Sequence, residues 1–271
     1  MTSLVSTFSI EAILLFLLLG SVVGLIAGLF GVGGGLVIVP ALVWGLPLIG
    51  VSGNHNMHLA VGTSLATIVI TSISSIYAHH KRGGVIWHEF WRLTPGILLG
   101  AWLGGVVAGM LDGLVLQRIF GLFAISVGLR MFFTGNLEDT VREVSQIVRL
   151  LAGLVIGLIS AIVGIGGGSM TVPFLHATGI EMKRAVATSS ACGLPIALSG
   201  TASFVVAGWG MEQLPSGSSG FVYWPVALII IVTSSLLAPV GASLAHRLPG
   251  ALLKRIFSIF LLGIGVKLLI G

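Results

Sequence analysis

Ionisable side chains are scarce, because only 8% of the 271 residues are Asp, Glu, Lys or Arg, against about 25% in a soluble globular domain. With 56% hydrophobic residues and a mean hydropathy of +1.13, no water-soluble fold could hide the apolar surface. A single cysteine, Cys192, excludes an intrachain disulfide framework and any CxxC metal site. The opening stretch MTSLVSTFSIEAILLF has no basic residue and carries Glu11 ahead of the apolar run, so a cleaved signal peptide is not expected. Nor does the chain offer a separate soluble domain, a long linker or a low-complexity tail. The alternation of an outer-membrane barrel strand is missing too. Instead the apolar runs are continuous and about 20 residues long, which predicts membrane helices. The 13 basic and 8 acidic residues sit in short loops. There they read as determinants of topology rather than as a nucleic-acid surface.

Glycine, by contrast, is abundant, with 40 residues. Gly31-Val32-Gly33-Gly34-Gly35 interrupts one apolar stretch and Gly164-Ile165-Gly166-Gly167-Gly168 another. Gly24 to Leu42 aligns without gaps on Gly157 to Leu175, with ten of nineteen positions identical. Each glycine inside a helix costs about 1 kcal/mol relative to alanine, and Pro40 and Pro173 follow with no backbone donor. Both stretches should therefore break. Bare peptide groups are tolerated at membrane depth only beside protein or a wet cavity. Paired breaks in two halves are the best pointer to a transporter's substrate site.

The remaining segments repeat as well. Apolar runs at Ile10–Phe30, Leu36–Ile49, Leu59–Ala78, Leu93–Leu111 and Leu114–Thr134 precede a charged connector, 135–149. Leu150–Val163, Ser169–Gly179, Ala185–Ala207, Tyr223–Ala245 and Ala251–Ile270 follow it. Ala60-Val61-Gly62-Thr63-Ser64 matches Ala185-Val186-Ala187-Thr188-Ser189, and Gln117-Arg118-Ile119-Phe120 matches Lys254-Arg255-Ile256-Phe257. The expected fold is an all-α polytopic membrane protein of two homologous four-segment repeats, 1–134 and 150–271. Each repeat starts with a Gly-broken re-entrant helix hairpin. Leu150–Val163 would be about 21 Å long and Ser169–Gly179 about 16 Å, both short of a core of about 30 Å.

Charge placement makes the repeats inverted. If every segment simply crossed, the basic residues would divide evenly between the two sides, against the positive-inside rule. If each hairpin returns to its own side, Lys81, Arg82, Arg92, Arg130, Arg142, Arg149, Lys183, Arg184, Arg247, Lys254 and Arg255 share the cytoplasmic face. Only Arg118 and Lys267 then lie opposite.

Two G-x-G-G-G-x4-P patterns, each followed within about 20 residues by A-V-x-T-S, resemble the TauE/SafE family of sulfite exporters and related permeases. The resemblance spans nearly the whole chain. It implies a multi-pass protein of the bacterial inner membrane that carries a small sulfur-containing anion: sulfite, sulfoacetate, thiosulfate or another organosulfonate. The doubled motif is specific for the family and not for the substrate. This chain departs from the pattern in one respect: Ser169 follows the second triplet where Leu36 follows the first.

Candidate substrate-binding residues are Gly33, Gly34, Gly35, Gly166, Gly167, Gly168 and Ser169, whose freed N–H groups at a helix start suit an oxyanion. Tight helix packing is the other reading of so many glycines. Thr63, Ser64, Thr188 and Ser189 could coordinate a ligand or tie helices together through hydroxyl bonds. Cys192 lies one turn beyond Thr188 and is either a substrate contact or a small apolar filler. His55-x-x-His58 lacks a third ligand, so no metal or cofactor is expected. No carboxylate lies clearly mid-membrane. Trp87, Trp91, Trp209, Tyr223 and Trp224 read as interfacial anchors. The partners expected are the anion, H+ or Na+ as a coupling ion and the bilayer, with no nucleic acid. An intramembrane enzyme would need a nucleophile and base that the chain does not bring together. An anion channel, or a carrier of another small solute or cation, remains the alternative.

Overall fold

Peptide groups in lipid must close their hydrogen bonds within the protein, and continuous apolar runs do so as helices. A computed structural model describes residues 10–30, 34–51, 53–133, 144–245 and 250–270. The first half holds α1 (Ile10–Phe30), α2 (Gly35–Leu48), α3 (Asn56–Lys81), α4 (Trp87–Met110) and α5 (Gly113–Phe133). The second holds α6 (Gln146–Val163), α7 (Gly168–Ala177), α8 (Met182–Ala207), α9 (Trp224–Ala245) and α10 (Gly250–Ile270). By length and composition α3, α4, α5, α6 and α8 are each able to cross a bilayer, so the chain is a multi-pass helical membrane protein. Large apolar side chains such as Leu99, Leu122, Leu151 and Val232 are turned outward, as a hydrocarbon solvent permits.

Close helix contact rests on small residues, since lipid supplies no hydrophobic force between helices. Along α4, a methyl added at Gly96, Gly100 or Gly104 would overlap the carbonyls of Leu150, Leu154 and Leu158 on α6. The rising numbers on both sides make α4 and α6 parallel. Gly20 against Ile230 and Gly24 against Ser234 do the same for α1 and α9. By contrast, α3 and α8 run antiparallel through the centre, with Gly200 beside Leu65 and Gly193 beside Ser72. So do α5 and α10, where Gly121 meets Gly265 and Gly128 meets Ser258 and Leu262.

Three features differ from the sequence expectation. Helix α6 begins at Gln146, not Leu150, and its 18 residues reach about 27 Å, so it is not as short as the apolar run suggested. Its polar first turn is satisfied against α4. Gln146 Nε2 donates to Arg92 O at 3.3 Å, and Arg149 Nε meets Glu89 Oε2 at 2.8 Å. Helix α4 likewise starts at Trp87 rather than Leu93, because that ion pair makes Glu89 affordable in a buried first turn. A two-stranded ribbon, β1 (Ser218–Ser219) and β2 (Val222–Tyr223), precedes α9 and was not foreseen. Most of the expected connector 135–149, its residues 135–143, lies outside the described residues.

Candidate functional site

Each glycine run does end one helix and start another. Helix α6 closes at Gly164, whose φ of 76° is left-handed, with Ile165 N donating back to Ser160 O at 2.9 Å. Gly167, at φ 74°, then opens the ten-residue α7, its carbonyl accepting from Met170 N at 3.0 Å and Thr171 N at 2.8 Å. Gly34 repeats this at φ 75°, its carbonyl accepting from Val37 N and Ile38 N, each at 2.9 Å. A side chain other than hydrogen is strained at such φ values. Nothing in the described backbone accepts from the N–H groups of Gly168 and Ser169, which face the break with the partial positive charge of the helix start. Gly33 lies outside the described residues.

The two breaks touch. A Cβ on Gly35 would stand 2.5 Å from Gly164 O and 2.8 Å from Ile165 Cα. Gly34, Gly35 and Gly164 to Gly167 are all buried, while Gly168 and Ser169 are half-buried. Among the described residues this junction is enclosed by α3 and α8. Ile68 stands 3.3 Å from the Cβ position of Gly166, and Ser72 Oγ and Gly166 O lie 3.1 and 3.2 Å from that of Gly193.

The hydroxyls around the breaks and on α3 and α8 divide into two groups. Ser64 Oγ donates to Gly164 O at 2.8 Å, which ties down a carbonyl that would otherwise face the break. Thr63 Oγ1 accepts from Tyr223 N, and Thr188 Oγ1 accepts from Ile86 N, both at 3.0 Å. Each threonine thus secures the N–H just ahead of a helix in the other half, α9 and α4 respectively. In the other group, the buried hydroxyls of Ser160, Ser169, Thr171 and Ser189 have no hydrogen-bond partner within the protein. Cys192 is fully buried in the apolar core.

Ser160 and Thr171, both 0% exposed, were missed by the sequence reading. Their Oγ atoms lie 3.4 and 3.3 Å from the Cβ position of Gly167. A signal was available in the aligned halves, where Ser160, Ser169 and Thr171 stand opposite Ala27, Leu36 and Ile38.

The His55–His58 pair is placed elsewhere. His55 precedes α3, and His58 Nε2 points at Ala108 O (3.1 Å) and Leu111 O (2.9 Å) at the end of α4. Two carbonyls around one nitrogen make that nitrogen the donor. The Phe221 ring stacks on His58, centroids 4.8 Å apart. A cavity of about 420 Å³ opens beside His55, lined also by Asn54, Asn56 and Glu212. Among the described residues no three of His, Cys, Asp and Glu are grouped to hold a metal ion.

Buried helix breaks inside a bundle of apolar, glycine-packed helices define a polytopic membrane protein with polar backbone at its centre, the construction of a solute carrier. The chain belongs to the TauE/SafE sulfite exporter family, whose model matches residues 16–268. It is 40% identical over 257 residues to a probable membrane transporter protein of Haemophilus influenzae, covering 94% of this chain and 97% of that one. A probable membrane transporter protein of Methanocaldococcus jannaschii is 28% identical over 260 residues, covering 94% and 95%. Another, from Xylella fastidiosa, is 27% identical over 267 residues, covering 95% of each. These relatives and the family are transporters rather than enzymes. No solved structure matches the chain.

Proposed function

We propose that this protein is a secondary transporter of the bacterial inner membrane that carries a small sulfur-containing anion, such as sulfite, sulfoacetate or another organosulfonate. The anion binds where the two glycine breaks meet. The observation that carries this reading is the contact of Gly35 with Gly164 and Ile165 in the buried centre of the helices. It brings unpaired N–H groups at a helix start together with hydroxyls and without a charged side chain. Residues 150–182 contain no lysine or arginine, so attraction comes from amide donors, hydroxyls and the helix dipole.

Two homologous repeats, 1–134 and 150–271, joined by the connector 135–149 and inverted in the membrane, fit the helix directions. Corresponding helices α3 and α8 are antiparallel, and so are α5 and α10. In this reading α1–α2 and α6–α7 are re-entrant hairpins, and rocking of one repeat against the other gives alternating access, coupled to H+ or Na+. A cation carrier would need unused carbonyls at the breaks. Gly164 O is taken by Ser64, and Gly34 O and Gly167 O each accept two N–H groups, so at the second break only the carbonyls of Ile165 and Gly166 are left for such a role.

Uptake of labelled sulfite into proteoliposomes, with and without an imposed pH or sodium gradient, tests the proposal. Wild-type flux should exceed that of empty vesicles, and Gly34→Leu and Gly167→Leu should abolish it in folded protein. Undiminished flux in either variant would refute the site.

A further inference from the structure

We infer that the anion's oxygens are held by one break only, the second, through the hydroxyls of Ser160 and Thr171 together with the N–H groups of Gly168 and Ser169. This rests on the breaks being the substrate site and goes beyond it. Each of the two helix starts is set by a left-handed glycine, Gly34 at φ 75° and Gly167 at φ 74°. They do not have the same chemistry. Around Gly167 the hydroxyls of Ser160 and Thr171 are fully buried, yet neither has a partner in the protein. Their Oγ atoms stand 3.4 and 3.3 Å from one point, the Cβ position of Gly167, which the flexible Cδ1 end of Ile196 fills in the empty protein and must leave for a ligand to enter. Ser169 Oγ, also unpartnered, is two residues before Thr171 in the first turn of α7.

In the first break the positions equivalent to Ser169 and Thr171 are Leu36 and Ile38, 1% and 2% exposed, with no donor beyond the backbone. A buried hydroxyl without a partner costs free energy in the empty protein. Keeping several beside one helix start makes sense where a ligand completes their hydrogen bonds. The class of ligand follows from the donors. Hydroxyl and amide groups spread around a compact volume match a sulfite or sulfonate group, whose several oxygens each accept hydrogen bonds. The first turn of α2, with Leu36 and Ile38 in place of hydroxyls, serves as the wall against which the second break is closed, through Gly35 on Gly164 and Ile165.

Sulfite, sulfate and sulfoacetate titrated into the full-length protein in detergent test this, with the unfolding temperature measured on each variant without ligand. Ser160→Ala with Thr171→Val should raise the dissociation constant at least tenfold. It should leave the unfolding temperature equal or higher, because an unsatisfied hydroxyl is removed. Thr171→Ser should keep near wild-type affinity, and Ile38→Val in the first break should change it less than twofold. The inference is overturned if the double variant binds normally, or if Ile38→Val weakens binding as much as Thr171→Val. A lower unfolding temperature with unchanged affinity would make the hydroxyls structural and overturn it as well. If Gly167→Ala with Ile196→Val loses binding while the hydroxyl variants keep it, the break remains the site and only the hydroxyl assignment fails. If wild type binds none of the three anions, the proposed function falls and this inference with it.

Discussion

Gly167 offers the sharpest separation of stability from binding. Alanine there must adopt φ 74°, at a cost of roughly 1–2 kcal/mol for a left-handed L-residue. Its methyl would also strike Ile196 Cδ1, the end of a flexible side chain. Ile196→Val deletes that atom, so Gly167→Ala/Ile196→Val should retain only the backbone cost. At about 2–4 °C per kcal/mol for a chain of this order, the double variant should unfold roughly 2–8 °C below wild type, and Gly167→Ala alone lower still. Binding should behave differently. The new methyl sits 3.3 Å from Thr171 Oγ1 and 3.4 Å from Ser160 Oγ, in the volume that an anion oxygen would take once the end of Ile196 swings aside. Losing two hydrogen bonds to a charged acceptor, about 1.5–3 kcal/mol each, weakens binding by about 10² to 10⁴. Sulfite titration beside thermal unfolding in detergent reads both quantities. A folded double variant with wild-type affinity would refute the reasoning, and equal unfolding temperatures for single and double would refute the part played by Ile196.

Other outcomes follow from separate contacts. Thr63→Val and Thr188→Val each remove the hydroxyl that accepts from the N–H of Tyr223 or Ile86. Each should lower stability by about 1–3 kcal/mol, while serine restores it, as read by thermal unfolding. Arg149→Met strands the 10%-exposed Glu89 carboxylate and should destabilise by about 3–5 kcal/mol, toward the lower figure because Arg92 remains 3.5 Å away. Adding Glu89→Gln should recover most of that loss in the same assay. For the inverted arrangement, a cysteine replacing Lys183 should react with an impermeant maleimide only from the cytoplasmic side, and one replacing Arg118 only from outside. Buried Cys192 contributes no background.

Much of the helix order was legible because apolar runs and glycine punctuation are local signals. Gly34 and Gly167 fell where the sequence placed them, with only the terminal turns shifting. Those turns shifted for a non-local reason. Glu89, Arg92, Gln146 and Arg149 read as loop residues until α4 and α6 are set side by side, where they satisfy one another. The ribbon before α9 was invisible for a similar cause, since Ser218 to Tyr223 has no alternating pattern and gains its place by packing. Phe221 inserts against Gly62, Phe204 and His58. Among the candidate residues, the sequence reading weighted the hydroxyls by recurrence. That favoured Thr63 and Thr188, whose oxygens already receive backbone N–H groups, over Ser160 and Thr171.

The reason for that bias is physical. When two halves share one backbone, a residue retained in both is one the shared backbone requires. Thr63 and Thr188 each secure the start of a helix in the opposite half, and Gly62 and Ala187 beside them leave room for Phe221 and Gly84 to approach. Such contacts must occur twice or the halves would not close on each other. A ligand smaller than the pair of breaks has no need of two identical sets of donors. On the proposal above, the positions where the aligned halves disagree, Ser169 against Leu36 and Thr171 against Ile38, are the ones given over to the ligand. Identity between the halves therefore marks construction, and polar departures from it at the same buried backbone mark chemistry.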